Sequence, residues 1–207
     1  MKIHVSNVDT SSRSGPNSFG TRLIEECTRQ GHEFTGPDDD YDVSLIFIEP
    51  LIQVRKDRKI VQRLDGIWFK PEQFLTHNVC MRKTYDDADL IVWQSEFDKA
   101  MTIHHWGIKP GVVINNGISL VKKQIIDKEL LAIKKRHDRV FVCSANWHRQ
   151  KRLKENLELF NLVRHDNDCL IVMGTNFDAH SSGHIYFVKN ATHDLCMQIY
   201  AAADWMI

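Results

Sequence analysis

Two hydrophobic rhythms alternate along the chain. Val43 to Ile48 and Leu90 to Trp93 are unbroken apolar runs, the pattern of parallel strands buried on both faces. Phe19, Leu23, Ile24 and Cys27 recur at helical spacing, which predicts a helix from about Phe19 to Gln30, stopped by Gly31. In chain order the first half reads as a strand at Lys2 to Val8, a Ser/Gly/Pro-rich turn at Thr10 to Ser18, that helix, and a short strand at His32 to Thr35. Strands follow at Val43 to Ile48 and Ile60 to Leu64, then a helix near Asn78 to Asp87 and a strand at Leu90 to Trp93. A helix opened by Ser95, with Glu96 and Asp98 in its first turn and Gly107 after it, leads to a last strand at Val112 to Ile114. From Ile118 to Asp138 the texture becomes lysine-rich and strandless, with one amphipathic helix at Lys128 to Arg136, and reads as a connector. Alternation then resumes: strands at Val140 to Ser144, Leu170 to Met173 and Ile185 to Val188, helices at Lys151 to Arg164 and Asp194 to Ala202, and a strand-like Trp205 to Ile207. Such alternation implies an α/β protein with parallel sheets.

Composition narrows the class. The 207 residues are 43% hydrophobic and 26% charged, enough for a real core. Lys+Arg and Asp+Glu are both 27, so no net field draws the chain to nucleic acid or to an anionic membrane, and no nucleic-acid partner is expected. No apolar run reaches the ~18 residues of a membrane span and the N-terminus has no signal-peptide core, which makes the cytoplasm the expected location. The five cysteines, Cys27, Cys80, Cys143, Cys169 and Cys196, are scattered and form no Cys-x-x-Cys pair, so they are expected as reduced thiols in core positions, with no metal.

In parallel α/β sheets ligands bind beyond the carboxyl ends of strands, so residues just after strands carry the chemistry. Arg13-Ser14-Gly15-Pro16-Asn17-Ser18 is either a capped turn or a helix N-terminus open to an anion or to hydroxyls. Arg63-Leu64-Asp65-Gly66-Ile67-Trp68 is either an Asp-Gly turn or a carboxylate beside an aromatic ring, suited to sugar hydroxyls. Arg149, Lys151 and Arg152 crowd the start of a predicted helix, where cations are unfavourable unless an anion neutralises them; the alternatives are a solvated basic face and a pyrophosphate seat. Gly-x-Gly-x-x-Gly and the P-loop pattern are both missing, which weighs against a nicotinamide oxidoreductase and a P-loop NTPase.

Five segments in register carry a resemblance: Gly15-Pro16-Asn17-Ser18-Phe19 with Gly31-His32; Gln62 to Ile67; Ala88 to Ser95; Val113 to Ile118; and Ser144 to Trp147 with Lys151-Arg152-Leu153. Together they resemble the group-1 glycosyltransferases (family four). The resemblance implies the GT-B fold: an N-terminal Rossmann-like acceptor lobe (1–118), a connector (119–138) and a partial C-terminal nucleotide-sugar lobe (139–207), the two lobes facing each other across a cleft. It implies transfer of a sugar from a nucleotide-diphosphate sugar to a glycan, lipid or protein acceptor, with retained anomeric configuration, no cofactor and no metal. Gly15, Arg149 and Lys151 would hold the donor phosphates, Asn17 and Asp65 the acceptor, and Asp65 and His77 would be the catalytic pair. Relatives continue beyond a segment like Ala202 to Ile207 into a Glu-x7-Glu region, so the second lobe is expected to be incomplete. Its strands, Leu170 to Met173 included, are then expected to be exposed and to favour self-association. The competing expectation is a non-catalytic remnant that binds a glycan or a partner protein.

Overall fold

The computed structural model describes residues 1–12, 14–52, 55–117, 125–178, 180–181 and 183–207. Arg13 and the lysine-rich residues 118–124 of the predicted connector lie outside them. The chain divides into two compact units, Met1–Ile118 and Ser119–Ile207.

The first unit is one parallel sheet of six strands: β1 (Lys2–Ser6), β2 (Glu33–Thr35), β3 (Val43–Phe47), β4 (Lys59–Leu64), β5 (Leu90–Trp93) and β6 (Gly111–Val113), in the order β2-β1-β3-β4-β5-β6. Its helices are α1 (Gly15–Arg29), α2 (Pro71–Asp87) and α3 (Glu96–Trp106). Gly31 stops α1 at φ +85° in a Schellman closure: its N–H donates to Thr28 O and that of His32 to Cys27 O. Ser95 Oγ caps α3 by accepting from Asp98 N–H at 3.1 Å. Two helices begin earlier than the periodicity indicates. Pro16 and Pro71 sit in the first turns of α1 and α2, where a fixed φ favours helix and the missing N–H costs nothing. The turn expected at Thr10 to Ser18 therefore ends at Ser14, and His77 lies mid-helix. The core joins Ile46, Ile60, Leu64, Ile91 and Trp93 of the sheet to Met81 and Tyr85 of α2 and Trp106 of α3.

The second unit holds β7 (Val140–Asn146), β8 (Cys169–Thr175), β9 (Ile185–Lys189) and β10 (Trp205–Met206), parallel throughout and ordered β10-β7-β8-β9. Its α-helices are α4 (Lys128–Arg136), α5 (Leu153–Val163) and α6 (His193–Ala202). Side chains of β8 alternate between two cores. Leu170 and Val172 pack with Phe160, Leu153 and Leu157 of α5, whereas Cys169, Ile171 and Met173 pack with Leu130 of α4 and Ile199 of α6. Leu170 to Met173 are thus 0–1% exposed, which corrects the expectation that this strand lies bare: both faces are already covered. Exposure falls instead on the edge strand β10, with Trp205 59% and Met206 67% exposed. That edge is tied down by Asp204, whose carboxylate accepts from Val140 N–H at 2.9 Å and from Lys134 Nζ at 3.0 Å. All five cysteines are free thiols; burial pushes Cys143 and Cys169 up to about 12, but Cys80 is exposed, lining an open cleft beside Ile46, Ile60 and Thr84, and is no core residue. No helix among the described residues is long and apolar enough to cross a membrane.

Candidate functional site

In the first unit the strand order reverses between β1 and β3, and a doubly wound sheet opens its crevice at such a point. The backbone there is distorted. Asn7 (φ 66°) follows β1 and Ile48 (φ 68°) follows β3; a β-branched residue in the left-handed region is a genuine outlier, costing of order 1–3 kcal/mol. Neighbours hold both in place. Asn7 Nδ2 donates to Phe47 O at 2.9 Å, Gln62 Nε2 to Ile48 O at 2.6 Å, and Ile48 N–H to Arg63 O at 2.8 Å.

Gly15 is the first residue of α1, and a side chain there would meet no atom. Among the described residues the N-terminus of α1 has neither a side-chain cap nor an acidic residue in its first turn, which leaves the N–H groups of Gly15 and Asn17 open to an anion; Pro16 has none to offer. Asn17, one turn in, accepts from Asp9 N–H at 3.0 Å and pins the loop after β1. Asp65 stands at the end of β4, reaches solvent, and has its carboxyl pushed above the ordinary value by desolvation, with the Arg63 guanidinium pulling the other way. Gly66 turns the chain at φ +136°, Ile67 plugs into the core, and Trp68 emerges 44% exposed. The Trp68 ring lies 5.0 Å from that of His77 on α2, whose Nδ1 is 2.9 Å from Thr76 Oγ1. The segment after β4 and the first half of α2 thus bring Trp68 and His77 together, whereas Asp65 has the charges of Arg63 and Asp98 near it.

Sequence reasoning passed over two buried polar residues nearby. Arg63 is 5% exposed; its Nη2 donates to Asn116 Oδ1 at 2.8 Å, its Nη1 has no partner among the described residues, and its guanidinium lies 4.2 Å from the Phe19 ring and 5.2 Å from that of Phe47. Burial lowers its pKa, while the charges of Asp65 and Asp98 oppose that fall. Asn78, 3% exposed, receives Trp68 N–H on Oδ1 at 3.0 Å and donates from Nδ2 to Trp68 O at 2.9 Å. Nothing in a linear pattern marks an asparagine on the inner face of a helix as a clamp; the signal could have been its polar side chain on a helix that needs an apolar inner face.

In the second unit β9-β8-β7-β10 is the start of the doubly wound dinucleotide-binding order, with the reversal at β7. Past the end of β7, Trp147 is buried and its Nε1 donates to Met173 O at 2.9 Å. Asn146 Oδ1 accepts from Thr175 Oγ1 and Asn176 Nδ2, both at 2.6 Å. Arg149 to Lys151 form a single 3₁₀ turn, and Arg152, left-handed at φ 55°, joins it to α5. The helix expected from Lys151 therefore starts at Leu153, because Arg152 breaks the helical path. Arg149, Lys151 and Arg152 are exposed, and none forms an ion pair among the described residues. A shallow depression of about 350 Å³ is lined by Trp147, Arg149, Arg152 and Asn176 among others, with the carboxylate of Glu155 also on its wall, but not by Lys151. Among the described residues no three His, Cys, Asp or Glu side chains gather as a metal site would require.

The sequence matches no protein-family model and no curated protein. Solved structures do match. Anabaena Alr3699/HepE in complex with UDP and glucose is 14% identical with a TM-score of 0.66, over 100% of this chain and 73% of that one. The fold is of the GT-B type, two Rossmann-like units in one α/β chain. An E. coli trehalose-6-phosphate structure bound with UDP-2-fluoro glucose is 12% identical at TM-score 0.70, over 100% and 77% of the two chains. An alpha-glucosyltransferase in complex with UDP and a 13-mer DNA containing a HMU base is 10% identical at TM-score 0.61, over 100% and 71%.

Proposed function

We propose that this chain acts as a glycosyltransferase, moving a sugar from a nucleotide-diphosphate sugar to an acceptor hydroxyl with retained anomeric configuration. The observation that carries the reading is the unpaired basic turn Arg149 to Arg152, beyond β7 at the reversal point of a dinucleotide-type sheet. Structural neighbours of the same fold, holding UDP or UDP-glucose, support it.

In the reaction the bond between the anomeric carbon and the β-phosphate oxygen breaks, and a bond from the acceptor oxygen to that carbon forms on the same face. The nucleoside diphosphate departs with an added negative charge. Arg149 and Lys151 neutralise that charge. No metal takes part in this scheme. Asn17 and Asp65 face the acceptor, and Asp65 and His77 are the groups that orient its hydroxyl and receive its proton. A carboxyl lifted by desolvation is a better proton acceptor than an ordinary one, which favours Asp65 for that role.

Calorimetric titration with UDP tests the donor half. The Arg149→Ala, Lys151→Ala double variant should lose about 1.5–3 kcal/mol of UDP affinity for each charge-assisted contact removed. Equal affinity in the variant and the parent would return the basic turn to a solvated face.

A further inference from the structure

The loop after β4 invests unusual effort in one exposed ring. A half-exposed tryptophan needs no partner for its backbone, which water could satisfy. Yet Asn78, buried on the inner face of α2, spends both halves of its amide on Trp68, at 3.0 Å to N–H and 2.9 Å to O. Gly66, at φ +136°, turns the chain, and Ile67, 7% exposed, anchors it in the core one residue before the ring. The result is an exposed ring on a fixed stretch of backbone, with the His77 ring 5.0 Å away, so part of the ordering cost is met before any ligand arrives.

We propose that Trp68 is the stacking platform for a pyranose ring of a carbohydrate acceptor, and that Asn78 is the positioning residue that holds it. This rests on reading the first unit as the acceptor lobe. The surroundings select the class of ligand. The His77 imidazole lies 5.0 Å from the Trp68 ring and puts a hydrogen-bonding group beside its face, and Asp65, an exposed carboxylate three residues earlier in the chain, belongs to the same loop. Apolar ring faces interleaved with hydrogen-bonding groups match a sugar, which presents C–H bonds on its faces and hydroxyls around its rim. A lipid tail would bury the His77 imidazole beside the ring without a partner.

Saturation-transfer NMR on the full chain, with maltotriose, cellotriose and chitotriose as probes and no donor present, tests the proposal. At least one trisaccharide should receive saturation, strongest at the C–H protons of one ring face. Its affinity should fall about tenfold in Trp68→Ala and stay within about threefold in Trp68→Phe, which keeps a stacking face. Asn78→Asp, which can accept from Trp68 N–H but cannot donate to its carbonyl, should fall between parent and Trp68→Ala. The Trp68 indole N–H resonance should broaden in Asn78→Asp while UDP affinity is unchanged, a signature that loss of overall stability would not give. Absence of saturation for all three sugars, saturation undiminished in Trp68→Ala, or binding to phosphatidylcholine vesicles in place of sugars would overturn the proposal. UDP titrated into the same samples separates the two readings: sugar binding that depends on Trp68 in a chain blind to UDP sinks the glycosyltransferase reading and leaves the platform standing.

Discussion

Gly174→Ala should unfold the second unit selectively. Gly174 sits at φ +138°, a conformation that costs an L-residue of order 1–3 kcal/mol. A Cβ there would lie 1.8 Å from Ala145 O and 3.0 Å from Trp147 Nε1. Ala145 is its direct partner in the β7–β8 ladder, so the obstacle is backbone and cannot swing aside. Relief requires the strands to part locally, losing ladder hydrogen bonds worth about 0.5–1.5 kcal/mol each. It also strands the buried Trp147 Nε1–H now bonded to Met173 O, at about 1–3 kcal/mol. With one ladder bond lost these total about 2.5–7.5 kcal/mol, and their mid-range, about 5 kcal/mol, is comparable to the whole stability of a small domain. Hydrogen exchange resolved by segment reads the two units separately. Exchange in β7 and β8 should accelerate by about a thousandfold or to full exposure, while β1, β3 and β4 keep their protection. Gly15→Ala is the internal control: its side chain would enter open space at the start of α1, and protection in both units should stay within a few-fold. Protection of β7 and β8 within tenfold of the parent in Gly174→Ala would refute the steric reasoning.

Two further outcomes follow from buried charge. Asp168 is fully buried and accepts from Arg139 Nε at 3.0 Å and from His165 N–H at 2.6 Å, which holds its carboxyl down at about 2. A depressed pKa gives stability that is complete above the unfolded value near 4 and lost as pH falls through 2; with Arg139 partly open to water the loss should be about 1–2 kcal/mol, read by urea unfolding at about pH 5 and about pH 2.5. Asp168→Asn should show that deficit already at the higher pH, and a parent whose stability is flat between the two would contradict the pairing. For Arg63, loss of the Asn116 bond and two ring contacts in Arg63→Met is offset by removing a buried cation that has no carboxylate bonded to it among the described residues, so stability should stay within about 2 kcal/mol of the parent. Arg63→Lys keeps the charge without the planar stack and should be the less stable of the two; the reverse order of melting temperatures would refute this balance.

Much of the architecture was legible because buried parallel strands announce themselves. The runs at Val43 to Ile48, Leu90 to Trp93 and Val140 to Ser144 fall on β3, β5 and β7, and Gly31, Ser95 and Gly107 mark helix ends by backbone and capping chemistry that is local in sequence. Helix starts set by Pro16 and Pro71 were read late, because apolar periodicity begins a turn or more after the proline that initiates the helix. The covering of β8 was misjudged for a different reason. Both of its faces are closed by α4, α5 and α6, all within the second unit, and how many helices a strand touches is a matter of tertiary placement. At the candidate site, Asp65 and the basic turn could be singled out because each comes just after a strand, and Gly15 because the loop after β1 leads into the helix that it opens. The Asn78 clamp, the strained Ile48 and the aromatic stack around Arg63 could not. Each joins residues from 10 to more than 40 positions apart, and no local pattern encodes such a meeting.

The central claim is transfer of a sugar from a nucleotide-diphosphate donor, and proton NMR of a reaction holding the full chain, UDP-glucose and the trisaccharide that binds tests it most directly. The account predicts stoichiometric release of UDP together with a new anomeric signal whose coupling constant matches the α-configuration of the donor, and loss of both in the Arg149→Ala, Lys151→Ala variant. UDP-glucose left intact, with GDP- and ADP-glucose equally untouched, would contradict it.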